Sequence, residues 1–182
     1  MSRIDESRPF IPLRIAVLTV SDTRTKKTDK SGPLLTGFIR DAGHVVVEHA
    51  IVEDDPKRIK KQVKRWIKDP QVDAVITTGG TGLTGRDVTP EAVKPLFDKE
   101  IEGFSALFHM LSYQMVGTST VQSRACAGVA DGTYIFCLPG SPGACTDAWE
   151  GILKSQFDNR HRPCSFVEIV PRLKKEKKKK SV

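Results

Sequence analysis

The sequence predicts an α/β fold, a three-layer α/β/α domain around a mostly parallel open sheet. Three observations carry that prediction. Short apolar runs of strand length recur along the chain, as expected of strands buried on both faces. Amphipathic stretches of helical period separate them. Turns rich in glycine, serine and threonine follow the strand ends, which is where open parallel sheets take ligands.

Arg14-Ile-Ala-Val-Leu-Thr-Val20 is the first buried strand. After a polar loop, Ser31 is expected to cap a helix with Pro33 in its first turn and Leu34, Leu35, Phe38 and Ile39 facing inward, ended by Gly43. Val45 to Ile51 reads as the second strand. Asp55-Pro56 opens the next helix, whose apolar stripe is Ile59, Val63, Trp66 and Ile67 and whose lysines form the wet face. Val72 to Thr77 is the third strand, running into Thr78-Gly-Gly-Thr-Gly82. Thr89-Pro90-Glu91 starts a helix expected to reach about Lys99, followed by helices over Gly103–Val116 and Ser119–Val129. Tyr134 to Leu138 is a further buried strand, after which Ser141 caps and Pro142 begins a helix to about Phe157. Phe166 to Val170 is expected to add a short edge strand. The organisation is then an N-terminal extension over 1–13, one domain over 14–170 and a lysine-rich disordered tail over 171–182.

Charge excludes more than it suggests. The net charge is +7, but Arg172 to Val182 alone contributes seven basic residues and one acid, leaving 22 basic against 21 acidic side chains elsewhere. A nucleic-acid face needs cations clustered on the folded domain, so no nucleic-acid partner is expected. No apolar run is long enough for a membrane span or a secretory signal, so a cytoplasmic protein is expected. Cys126, Cys137, Cys145 and Cys164 make no Cys-x-x-Cys pair and read as reduced, partly buried thiols. His44, His49, His109 and His161 lack metal-ligand spacing.

The strand-end rule picks out four segments as a candidate site: Ser21-Asp22-Thr23, Glu53-Asp54-Asp55, Thr78-Gly79-Gly80-Thr81-Gly82 with Arg86-Asp87, and Pro139-Gly140-Ser141-Pro142-Gly143. The glycine loop lets backbone N–H groups approach an anion, although the same residues also suit a tight turn with no ligand. Asp54 and Asp87, each following a strand, suit Mg²⁺; either can instead serve as a cap or loop buttress. Ser123 and Arg124, on a predicted helix, can grip a phosphate, or Arg124 can form an ordinary ion pair. Ser141 caps a helix whose N-terminus can also hold an anion.

Taken together and in order, Val20-Ser-Asp-Thr-Arg24, Thr77-Thr-Gly-Gly-Thr-Gly82, Arg86-Asp-Val-Thr-Pro-Glu91, Gln122-Ser-Arg-Ala125 and Leu138-Pro-Gly-Ser141 resemble the molybdopterin-binding domain family. Gly117 to Arg124 and the segment from Pro139 to Glu150 look most like its protein B branch. The resemblance implies a trimer, or a hexamer of two trimers, and a role in molybdenum cofactor biosynthesis with molybdopterin as ligand or substrate. In catalytic relatives the terminal phosphate of that pterin attacks the α-phosphate of ATP with Mg²⁺, giving adenylyl-molybdopterin and pyrophosphate. The family's two key aspartates match Asp87 and either Asp54 or Asp55. Its glycine loop matches Gly79 to Gly82, its serine Ser123, and its Pro-Gly turn Pro139-Gly140. Because the residues that catalysis needs are present, the adenylyltransferase is the favoured reading, with a non-catalytic molybdopterin-binding or carrier protein as the alternative.

Overall fold

A computed structural model describes the backbone of residues 3–180 and the side chains of residues 4–174. In chain order the elements are β1 (Arg3–Ile4), β2 (Arg14–Val20), α1 (Ser31–Asp41), β3 (Val45–Val52), α2 (Pro56–Lys68), β4 (Ala74–Thr78) and α3 (Thr89–Val93). A 3-10 turn (Lys94–Leu96), β5 (Lys99–Glu100), α4 (Glu102–Val116), a second 3-10 segment (Gly117–Gln122), β6 (Cys126–Ala130) and β7 (Thr133–Leu138) follow. The chain continues through α5 (Pro142–Ala148), a π-helical turn (Trp149–Leu153), α6 (Lys154–Gln156), β8 (His161–Arg162) and α7 (Phe166–Lys180). Six strands form one sheet in the order β3-β2-β4-β7-β6-β5, and β1 pairs with β8 beside it. β3, β2, β4 and β7 run parallel; β6 is antiparallel to both of its neighbours.

Register positions the site. Val20 pairs with Val52, Thr19 with Thr78, and Thr78 with Leu138, so four parallel strands end level with one another. Because both faces are covered, β2, β4 and β7 are almost wholly buried, which explains their unbroken apolar runs. One face packs α1, α4, α5 and α7 through Leu35, Ile39, Phe104, Phe108, Trp149 and Val167. The other packs α2 and α3 through Ile59, Val63, Trp66, Ala92 and Val93. Among the described residues no helix is long and apolar enough to cross a membrane.

Four local expectations are corrected. Ser31 does not cap α1: Asp29 Oδ1 accepts the Gly32 N–H at 3.0 Å, and Ser31 Oγ donates to Gly140 O at 2.8 Å. α3 stops at Val93 rather than near Lys99, because Pro95 lacks an N–H and its ring crowds the preceding turn. The expected helix over Ser119–Val129 is a 3-10 segment followed by β6. A two-residue turn at Asp131 (φ 46°) and Gly132 (φ 78°) joins β6 to β7, and this Asp-Gly pair is the hairpin signal the helical reading missed. Phe166 to Val170 is helical, since Phe166, Val167, Val170 and Leu173 recur at helical spacing and pack on the core. α7 continues into the segment expected to be a disordered tail, and Lys174 ion-pairs with Asp73. The N-terminal extension is also anchored: Arg8 donates to Asn159 O and to Glu168, each at 2.6 Å.

Candidate functional site

The glycine loop after β4 is built by hydrogen bonds that leave little freedom. Gly79 N donates to Leu138 O at 3.0 Å, Thr89 N to Gly80 O at 2.9 Å, and the buried Thr89 hydroxyl to Gly79 O at 2.9 Å. Gly79 and Gly80 have φ of 103° and 65°, so both need glycine's left-handed freedom. A Cβ on Gly79 would stand 2.2 Å from Val20 O, because β2 and the loop are in close contact. Thr78 is buried and its hydroxyl donates to Pro139 O at 2.9 Å, so it ties two strand ends together and does not face the cleft.

The two aspartates both approach this loop, Asp54 at Gly80 and Asp87 at Gly82. Asp55 caps α2 by accepting the Arg58 N–H at 2.8 Å, which leaves Asp54 as the residue turned toward the loop. Asp54 Oδ1 lies 3.1 Å from where a Cβ on Gly80 would stand, and Asp87 Oδ2 lies 2.8 Å from the corresponding point on Gly82. Asp54 and Asp22 exchange backbone-to-carboxylate hydrogen bonds of 2.9 and 3.0 Å. Asp54 is pushed above the usual carboxylate range, first by burial and then by the neighbouring Asp22 and Asp87 charges. Asp87 is held below that range although burial works against it, because the Thr84 hydroxyl and N–H donate to Oδ2 at 2.6 and 3.0 Å. The hydrogen bond from Arg86 similarly holds Asp22 low.

Arg124 lies in the extended link before β6, not on a helix. Its backbone N–H donates to Thr81 O at 2.9 Å, and its guanidinium reaches Gly82 O at 2.8 Å, Asp87 O at 2.6 Å and Glu91. This clamp holds the Thr81–Asp87 loop in shape. Ser123 faces a groove shared with Pro139, Ser141, Thr120 and Asp147. Ser141 caps α5, accepting the Ala144 N–H at 3.2 Å. Ser21, Thr78, Gly79 and Gly140 meet in a separate small pocket of about 110 Å³ that also takes in Arg24, Lys30 and Ser31. Behind it, Thr19 Oγ1 donates to Asp29 at 2.6 Å and His49 Nε2 lies 3.2 Å from the same carboxylate. Spacing in the sequence offered no signal for this buried group, since Thr19, Asp29 and His49 come from β2, a loop and β3.

Level parallel strand ends, with positive-φ glycines close to two carboxylates, define an open-sheet α/β domain of the kind that takes ligands at its strand ends. The comparisons narrow that class. The family model for a "probable molybdopterin binding domain" matches residues 16–159. Molybdenum cofactor biosynthesis protein B of Escherichia coli K12 is 53% identical over 169 residues, covering 93% of this chain and 98% of the relative. The Bacillus subtilis protein of the same name is 48% identical over 133 residues, 72% of this chain and 78% of that one. A crystal structure of a molybdenum cofactor biosynthesis protein B superposes with a TM-score of 0.79 at 38% identity, covering 94% and 99% of the two chains. The tungsten cofactor synthesizing protein MoaB from Pyrococcus furiosus gives 0.74 at 36% identity over 90% and 98%. The chain belongs to the molybdopterin-binding domain family, in its molybdenum cofactor biosynthesis protein B branch.

Proposed function

We propose that this protein acts in molybdenum cofactor biosynthesis by binding molybdopterin and adenylylating it with ATP. The observation that carries the reading is the placement of Asp54 and Asp87 against a positive-φ glycine loop at the level ends of four strands. The loop amides left to hold phosphate oxygens are those of Gly80 and Thr81, since the Gly79 N–H is taken by Leu138 O and that of Gly82 by Asp87; the hydroxyls of Ser21 and Ser123 are further candidates. Asp54 and Asp87 are the residues to hold Mg²⁺, and the donor set suits it: hard oxygens, with Asp54 already disfavoured as a free anion by burial and by like charges. The metal would supply neutralisation of charge gathering at the transferred phosphoryl group.

The protein's own residues do the positioning. Arg124 fixes the loop through Gly82 O and Asp87 O, Thr89 fixes it from below, and Ser31 and Thr78 lock the Pro139-Gly140-Ser141 turn to it. No side-chain nucleophile is needed, since the attacking oxygen comes with the pterin phosphate. Assembly as a homo-oligomer, trimer or hexamer, is supported by exposed apolar side chains on α4 and the following turn: Leu107, Met110, Tyr113, Met115, Val116 and Val121.

The test is direct. Purified protein with molybdopterin and Mg-ATP is assayed for adenylyl-molybdopterin and pyrophosphate, beside Asp54→Asn and Asp87→Asn. Product from the unaltered protein, lost in both variants, supports the transferase; pterin binding without product overturns it and leaves a carrier.

A further inference from the structure

Cys126 and Cys137 stand directly opposite each other in the antiparallel β6–β7 pair. The Asp131-Gly132 turn fixes what kind of pair this is. Counting outward from Ala130–Thr133, which closes a two-residue hairpin, hydrogen-bonded pairs recur at every second position. Cys126–Cys137 is one of these, for which Cα atoms lie about 5.5 Å apart, inside the ~4.4–6.8 Å that a disulfide spans. Both side chains enter the same apolar cluster on the α2–α3 face, so the two sulfurs lie on one side of the sheet. Both are free thiols.

We infer that Cys126 and Cys137 form a modification site, closing to a cross-strand disulfide on exposure to a hydroperoxide, with Cys126 as the thiol attacked first. Access sets the order. Cys126, though only 5% exposed, lies at the edge of a groove lined also by Lys94, Glu100 and Arg124, whereas Cys137 is 0% exposed. Charge agrees with access: the adjacent Cys137 thiol and, against the effect of burial, the Lys94 ammonium favour the Cys126 thiolate. Cys137 is held protonated by the adjacent Cys126 and by burial. The Cys126 thiolate attacks the peroxide O–O bond, forming a sulfenic acid and releasing one molecule of water or alcohol. The Cys137 sulfur then displaces the sulfenic hydroxyl, which leaves as water with the Cys137 proton. Two thiols lose two electrons in all, and the peroxide takes them.

The bridge would join two segments of the cleft. Arg124 precedes Cys126 by two residues, and Pro139-Gly140 begins two residues beyond Cys137. Cross-linking therefore couples the Arg124 clamp to the Pro139-Gly140 turn, and this consequence rests on the proposed function.

The test uses the full chain with Cys164→Ser, because Cys164 is exposed and would cross-link between molecules. It is treated with stoichiometric hydrogen peroxide, unfolded, alkylated and cut with chymotrypsin after Tyr134 and Phe136, which separates the two cysteines. The expected result is a linked peptide pair lacking two hydrogen atoms, reversed by dithiothreitol. Cys137→Ala is expected to yield a Cys126 sulfenic acid that dimedone traps. A bridge through Cys145, or over-oxidised Cys126 with no bridge, overturns the site. Adenylylation measured on the same samples should be lost on bridging and restored by dithiothreitol; unchanged turnover overturns the coupling. Turnover absent before oxidation condemns the transferase reading and leaves the mass result to decide the thiol pair.

Discussion

Replacing Gly79 with alanine tests whether the cleft is as tightly built as its contacts indicate. At φ 103° an L-residue is strained by about 1–3 kcal/mol. The added Cβ would also stand 2.2 Å from Val20 O, a backbone atom within the sheet that no rotamer change can move aside. Relief requires the loop and β2 to separate by about 1 Å, which sacrifices at least one of the bonds from Gly79 N to Leu138 O and from Thr89 Oγ1 to Gly79 O, at about 1 kcal/mol each. The sum is about 3 kcal/mol, or roughly 6–12 °C in Tm for a chain of this size. Gly85→Ala is the matched control, since nothing lies within 4 Å of its Cβ position and its φ is not positive. That variant is expected within about 0.5 kcal/mol of the parent. Urea unfolding at one protein concentration reads both. Equal midpoints for the two variants would show that the Val20–Gly79 contact yields freely and that the loop is not a rigid cradle.

Arg124→Lys keeps the charge but not the fork, so one of the two loop carbonyls loses its donor; a drop of about 1 kcal/mol and weaker Mg-ATP binding are expected, and unchanged calorimetric titration would refute the clamp. His44 accepts the Leu13 N–H on Nδ1, and burial pushes its pKa from 6.5 to about 4 against the pull of Asp158. The unfolded chain then binds the extra proton first, so stability on the order of 3 kcal/mol present above pH 6.5 is lost as pH falls toward 4; His44→Asn should flatten that slope in urea midpoints, and parallel slopes would sink the assignment. Asp54 is raised in the folded state, so its charge opposes folding once pH exceeds that raised value. Asp54→Asn should therefore be at least as stable as the parent at neutral pH, with the gain vanishing below pH 3.8, while losing Mg²⁺ binding; a clear loss of stability at neutral pH would contradict it.

What could be read from the sequence follows from how strongly each segment is constrained. β2 and β4 are largely apolar runs because both faces are covered, and α2 shows its stripe because every non-buried position after Pro56 is polar. The placement of Asp55 before Pro56 already marked the helix cap, and the structure leaves Asp54 for the cleft. β6 was not legible by period, since Cys-Ala-Gly-Val-Ala has no large residue to alternate, and only the Asp131-Gly132 turn betrays the hairpin. Which strand ends face the cleft follows from a general rule of parallel sheets, but what each polar group does there depends on contacts between distant segments. Ser31 reaching Gly140, and Arg124 reaching Gly82 and Asp87, are of that kind.

Those distant contacts change the electrostatic argument for the cleft. An arginine beside a glycine loop invites the reading that it grips phosphate, yet Arg124 is committed to two loop carbonyls and Glu91, and Arg86 to Asp22. The positive charge nearest the loop thus serves to shape it, while Asp54 keeps two like-charged neighbours and a raised pKa. A phosphate arriving at such a loop meets favourable amides but unfavourable carboxylates, and at about 4 Å even a well-screened pair of like charges costs on the order of 1–4 kcal/mol. Only a cation shared between phosphate and carboxylates turns that repulsion into binding. The cleft is accordingly expected to hold ATP tightly with Mg²⁺ and poorly with the metal chelated, and to lose that difference in Asp54→Asn. Metal-independent ATP binding would mean that the amides suffice and that Asp54 and Asp87 are structural.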